Sequence, residues 1–165
     1  MASAFSTLSR RIGLVAKQLI ARVKGRPQSG KSIAHTKAAK FGCERCWPAD
    51  ANAAQEARRT LTQEADLIEE SHFYVKIRVC PSCSQRFLSV FTETIDWEDG
   101  DDPQYWTLLP LTAAEAADLI QQGSSLTEAA LNALGRGRKC LWHDHPKGQE
   151  ARSYWGTGIA IRHHD

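Results

Sequence analysis

The apolar positions after residue 50 change their period several times, and each change marks an element. Residues 51–59 are alanine-rich and favour a helix, with Asp50 placed to cap its first turn. Leu61, Ala65, Leu67 and Ile68 carry an irregular apolar pattern through Glu70, and Ser71-His72 ends it. Phe73, Val75, Ile77 and Val79 then alternate with Tyr74, Lys76 and Arg78, which predicts a strand with one buried face. A further strand holds Phe87, Val90 and Phe91, and another is predicted over 105–111. Thr112-Ala113-Ala114-Glu115 is a capping-box sequence opening a helix that carries Leu119-Ile120 and stops at Gly123. Ser125-Leu126-Thr127-Glu128 repeats the device, and Gly135 closes the second short helix. A last strand is expected over 153–161, with its glycines at a bulge or turn.

The first 42 residues have a different pattern. Phe5, Leu8, Ile12, Val15, Ala16, Leu19, Ile20 and Val23 recur at three- and four-residue steps, which puts them on one face of a helix. Gly25, Pro27 and Gly30 break it. The chain therefore divides into a basic amphipathic arm and linker, 1–42, and a body, 43–165. Charge divides at the same place. The arm holds nine basic residues and no acid; the body holds 12 basic and 19 acidic residues, a formal −7 inside a whole-chain +2. Four readings of the arm remain open: docking its apolar face on the body, lying on a membrane surface, serving as a targeting peptide, or neutralising nucleic-acid phosphates. No aromatic residue occurs between 6 and 40, which counts against base stacking by the arm. Hydrophobic content of 42% and charged content of 24% suit a soluble globular protein, and no run approaches the ~20 apolar residues of a membrane span.

Chemistry enters with the cysteines. Cys43-Glu44-Arg45-Cys46 and Cys80-Pro81-Ser82-Cys83 are two C-x-x-C turns, each presenting two sulfurs on one side of a tight bend. Brought face to face, they supply the four soft ligands of a tetrahedral zinc shell with no position left for water, which makes the metal structural. One Zn²⁺ per chain is expected, on Cys43, Cys46, Cys80 and Cys83. The spacer of 33 residues exceeds the roughly 15–20 of the compact pattern. The pairing resembles the zinc-ribbon group, whose second turn often reads C-P-x-C. The resemblance implies that the second knuckle caps a hairpin, in agreement with the strands around it. Trp47 and Ser84 stand where that group often has glycine. The fold expected is α+β: a zinc-ribbon-type antiparallel sheet with short flanking helices and the N-terminal helical arm. A redox C-x-x-C needs a helix after it, but 87–92 reads as strand; a disulfide framework fits poorly with five cysteines and no secretory signal. Cys140 is left over as a free thiol.

Residues 93–102 contain six acids and no base. A solvated, charge-blunted hairpin loop is one reading. A calcium loop fails on ligand spacing. The third reading is a recognition patch of Asp96, Trp97, Glu98, Asp99, Asp101 and Asp102, an aromatic anchor in a negative field suited to a basic partner. At the other end, Cys140, His143 and His145 are candidates for a second metal, with Asp144 or Glu150 as a base in an enzyme reading. Their spacing matches no established motif, and Walker, dinucleotide, nucleophile-elbow and H-E-x-x-H signatures are missing. The function expected is thus a cytoplasmic, non-enzymatic zinc-binding interaction module, of immunity or inhibitor type. The alternatives are a nucleic-acid-binding zinc ribbon using its arm, and a metalloenzyme built on the C-terminal Cys/His cluster.

Overall fold

The computed structural model describes residues 40–164. The helix expected between residues 5 and 23, and every role considered for it, fall outside the described residues. Within them, the alternating segments become a six-stranded antiparallel meander in the order β1 to β6. The strands are β1 (Thr62–Glu70), β2 (Phe73–Val79), β3 (Arg86–Glu93), β4 (Gln104–Pro110), β5 (Lys139–His145) and β6 (Arg152–Thr157). Helix α1 (Ala51–Arg58) precedes the sheet; α2 (Ala113–Gln122), a 3-10 turn and α3 (Glu128–Ala133) fill the connection from β4 to β5.

Strand alternation sorts the side chains to two faces. Phe73, Val75 and Ile77 from β2, Leu88 and Val90 from β3, Leu109 from β4 and Cys140 from β5 pack with Ala116 and Leu119 of α2 and Leu131 of α3. This is the larger core. Phe87, Leu108 and Leu141 point the other way and meet Ala54 of α1 with Cys46 and Cys80. The second face is covered only in part: among the described residues α1 packs mainly on β5 and β6, and no helix lies over the stretch of β2 and β3 that carries Tyr74 and Phe91.

Several expectations hold in detail. Asp50 caps α1, its Oδ1 accepting from Ala53 N at 2.8 Å. Thr112 and Glu115 complete their capping box. Other expectations change. The last strand ends at Thr157 instead of 161, with Gly158 in the turn after it as expected. Gly156 instead lies in regular register inside β6 and faces the Trp142 ring, where a Cβ would come within 2.8 Å of it. The irregular run through Glu70 is strand β1, with register shifts at 63/65 and 66/68. The second short helix is capped by Thr127, which accepts from Ala130 N, while Ser125 ends the 3-10 turn and donates to Gln122 O. Residues 139–145 form an interior strand of the sheet, paired on both sides, rather than a ligand-bearing tail.

Candidate metal centre

Each knuckle is a turn closed by its own backbone. Trp47 N donates to Cys43 O at 2.8 Å, and Ser84 N to Cys80 O at 2.9 Å. The second knuckle sits at the tip of the β2–β3 hairpin, and the first is brought to it across a gap of more than thirty residues. Two devices hold the first in place. Trp47 packs on Phe87 and edge-on against Trp155, with ring centroids 5.3 and 4.8 Å away. Trp155 in turn donates to Ala49 O at 2.7 Å. The second device is Gln85. Its Oε1 accepts from Gly42 N at 3.2 Å, and its Nε2 donates to Arg86 O and Leu111 O at 2.7 Å each. One amide thereby ties the approach to the first knuckle to the strand leaving the second.

The departures from the zinc-ribbon pattern now have reasons. Trp47 replaces a small residue because its indole is the anchor of the first knuckle. The backbone freedom lies one residue before that knuckle, at Gly42 with φ +71°, where a Cβ would sit 2.7 Å from that of Trp47 and 3.1 Å from the Cys46 sulfur. Ser84 takes the left-handed conformation itself, at φ 60°.

The sulfurs of Cys43, Cys46, Cys80 and Cys83 all lie within 4.8 Å of one another. Cys46 Sγ is 3.7 Å from Cys43 Sγ and 3.7 Å from Cys83 Sγ. A Zn–S bond of about 2.3 Å in a tetrahedron gives sulfur separations of about 3.8 Å. The donor set therefore fits zinc in both chemistry and size. Cys46 and Cys80 are buried, whereas Cys83 faces solvent. Burial pushes the Cys46 and Cys83 thiols up. Burial also opposes ionisation of Cys43, but N–H groups of its own turn together with the Cys83 and Cys46 thiols outweigh it and bring this thiol down to about 7. The cluster is suited to one structural zinc per chain, held by two zinc-ribbon-like knuckles.

The C-terminal candidates do not converge. Cys140 belongs to the larger core and donates its S–H to Leu108 O at 3.1 Å. His143 and His145 fall on the opposite face of β5, so strand alternation separates them from both Cys140 and Asp144. His143 bonds Ser153 Oγ at 2.9 Å, and Asp144 is buried, accepting from Tyr154 OH at 2.7 Å. Glu150 is exposed in the β5–β6 loop. Among the described residues, the cysteine cluster is the one group of three or more ligands close enough to hold a metal.

The acidic segment is braced from within. Lys147, in the β5–β6 loop, pairs with Asp96 at 2.6 Å and Asp99 at 2.8 Å. Its ammonium holds the Asp96 carboxyl below the usual range. Asp102 accepts from Asp96 N at 2.7 Å, and Asp101 from Gly148 N at 2.5 Å. Sequence reading missed Lys147 because it lies some fifty positions away, in a turn that shows no charge pattern of its own. Trp97 stands 91% exposed above this scaffold, next to Glu98. No family model matches the chain, and no curated protein or solved structure matches it either.

Proposed function

We propose that the chain is a non-enzymatic, zinc-stabilised interaction module of immunity or inhibitor type, which takes a basic protein partner on the loop around Trp97. The observation that carries this reading is the exposed indole on a loop whose carboxylates are tied to Lys147 and to backbone N–H groups. A large ring carried on a braced loop lowers the ordering cost of binding to that of its own side chain. Beside it, His72, Thr94, Ile95 and His163 line a depression of about 380 Å³ that could seat a partner side chain. Asp96, Glu98, Asp99, Asp101 and Asp102 still outnumber Lys147, so the loop field favours a cationic approach. A reducing, cytoplasmic setting belongs to the same reading, since zinc needs the four thiols reduced.

The test is affinity capture from the source cell with wild-type protein and with Trp97→Ala, followed by mass spectrometry. A basic protein should be retained by the wild type and lost with the variant, while zinc content and thermal stability stay the same. Retention of the same proteins by Trp97→Ala at equal yield rejects the loop as the binding surface.

A further inference from the structure

The part of the second sheet face that no described helix covers has a composition that neither the zinc site nor the Trp97 loop explains. Tyr74, Phe91, Trp106 and His143 stand side by side on β2, β3, β4 and β5. Successive ring centroids lie 5.7, 4.8 and 5.3 Å apart. Around this row stand Lys76, Arg78 and, from the end of α1, Arg58, whose guanidinium lies over the Trp106 ring at 5.3 Å. These basic groups and three of the rings line an open cavity of about 250 Å³.

An aromatic ladder alone is a common way to stabilise a half-exposed sheet face. It does not account for the cations. Lys76 is paired with Asp66 at 3.0 Å. Among the described residues Arg58 donates only to the neutral Gln55 side chain, at 3.2 Å. Arg78 makes no ion pair among the described residues, and its buried Nε has no acceptor. Residues 1–39 contain no Asp or Glu, so the arm has no side-chain carboxylate to offer. The helix dipole favours a cation at Arg58, in the last turn of α1, but gives no reason for Arg78. Burial, with Arg78 nearby, brings the Arg58 guanidinium down to about 10. Two guanidinium groups with no carboxylate partner among the described residues thus repel one another across an aromatic floor, an arrangement that an anion would relieve.

We propose that this face binds single-stranded nucleic acid, with bases stacking on the Tyr74–Phe91–Trp106 row and phosphates held by Arg58 and Arg78. Half-exposed aromatic rings on which any base can stack, and a charged track beside them, are the two requirements of sequence-tolerant single-strand binding. The cavity is smaller than the roughly 300–1,000 Å³ that encloses a whole small ligand, and it is open to solvent. It therefore takes one base of a longer strand rather than engulfing a free cofactor. A body of net −7 is compatible with this, because the cavity lining holds three basic residues and no acid, and the acids of the Trp97 loop lie outside it. The inference is independent of the Trp97 loop.

Fluorescence anisotropy of the zinc-loaded full chain with a labelled mixed-sequence single-stranded DNA 12-mer tests it, over a range of salt. Wild type should bind, with affinity falling as salt rises. Arg78→Gln and Arg58→Gln should each weaken binding several-fold and reduce the salt slope by about one. Trp106→Leu should weaken it roughly tenfold with the slope kept; Tyr74→Leu serves the same purpose should the tryptophan variant fail to fold. Any one of several results overturns the proposal. These are no binding by the wild type, binding indifferent to all these variants (which assigns it to the arm), equal affinity for duplex DNA, or equal affinity for free AMP. A polyglutamate competitor that displaces the strand and whose own binding ignores Trp106→Leu overturns it in favour of an acidic peptide.

Discussion

At the scale of single residues, Gly42 is the position on which the metal centre depends most without touching the metal. Its positive φ turns the chain into the first knuckle, and its missing side chain leaves room for Trp47 Cβ and Cys46 Sγ. Gly42→Ala would meet both obstacles at once: a left-handed conformation that disfavours a Cβ, and a 2.7 Å approach to a side-chain base that cannot swing aside. Its N–H bond to Gln85 would shift with the backbone. The expected cost is about 2 kcal/mol or more. It should appear as a lower urea midpoint together with faster zinc loss to a chelator. An unchanged midpoint would show that the knuckle tolerates a relocated turn.

Elements show why parts of the fold were legible in the sequence and others were not. Strand β2 declared itself because Phe73, Val75 and Ile77 alternate strictly with longer polar residues. Strand β1 did not, since two bulges break its period and it is an edge strand carrying Glu64, Asp66, Glu69 and Glu70 with only Leu67 fully buried. Charges of this kind suit an edge that must not pair further. In β5 the alternation mixes polar and apolar groups on both faces, and its histidines looked like ligands until the register separated them from Cys140. The metal ligands were readable because spacing alone determines a C-x-x-C turn; Gln85 and Lys147 were not, because their partners are distant in sequence. The capping box of α2 also has a long-range side. Arg138, just before β5, donates to both carboxylate oxygens of Glu115 at 2.8 Å and to Pro110 O at 2.8 Å. That guanidinium, helped by the Thr112 N–H and hydroxyl, brings the Glu115 carboxyl down to about 2 from an ordinary 4.5. A depressed acid stabilises the fold fully above its unfolded value and loses that contribution as pH falls through the folded one. Glu115→Gln should therefore cost about 1–3 kcal/mol near neutrality. The difference in Tm from wild type should shrink between about pH 4.5 and 2. Metal loss in acid affects both proteins, so the difference between them isolates the carboxylate. A constant difference down to pH 2 rejects the assignment.

For the whole molecule, the placement of the two cores decides what zinc removal does. The larger core joins β1 to β5 with α2 and α3 and includes none of the four ligands. The smaller one contains Cys46 and Cys80 directly, with Cys43, Trp47 and Trp155 packed against it. Zinc therefore acts on one face of the sheet. In a domain whose only core surrounds the metal, chelation abolishes folding; here it should leave the sheet assembled. The expected apo protein keeps most of its far-ultraviolet circular dichroism. It loses near-ultraviolet signal and shows altered tryptophan emission, because the Trp47–Trp155 contact is released when the first knuckle is no longer tied to Cys80 and Cys83. Its Tm should fall by more than about 10 °C, since several kcal/mol of metal binding is also folding free energy. Cys46→Ser should reproduce the apo state, because it removes a buried ligand at the centre of the same cluster. Elemental analysis of freshly purified protein should give one zinc per chain. Folded protein without metal, or a chelated sample with unchanged Tm, would remove zinc from the account of stability. Loss of all secondary structure on chelation would instead show that the larger core cannot stand without the smaller one.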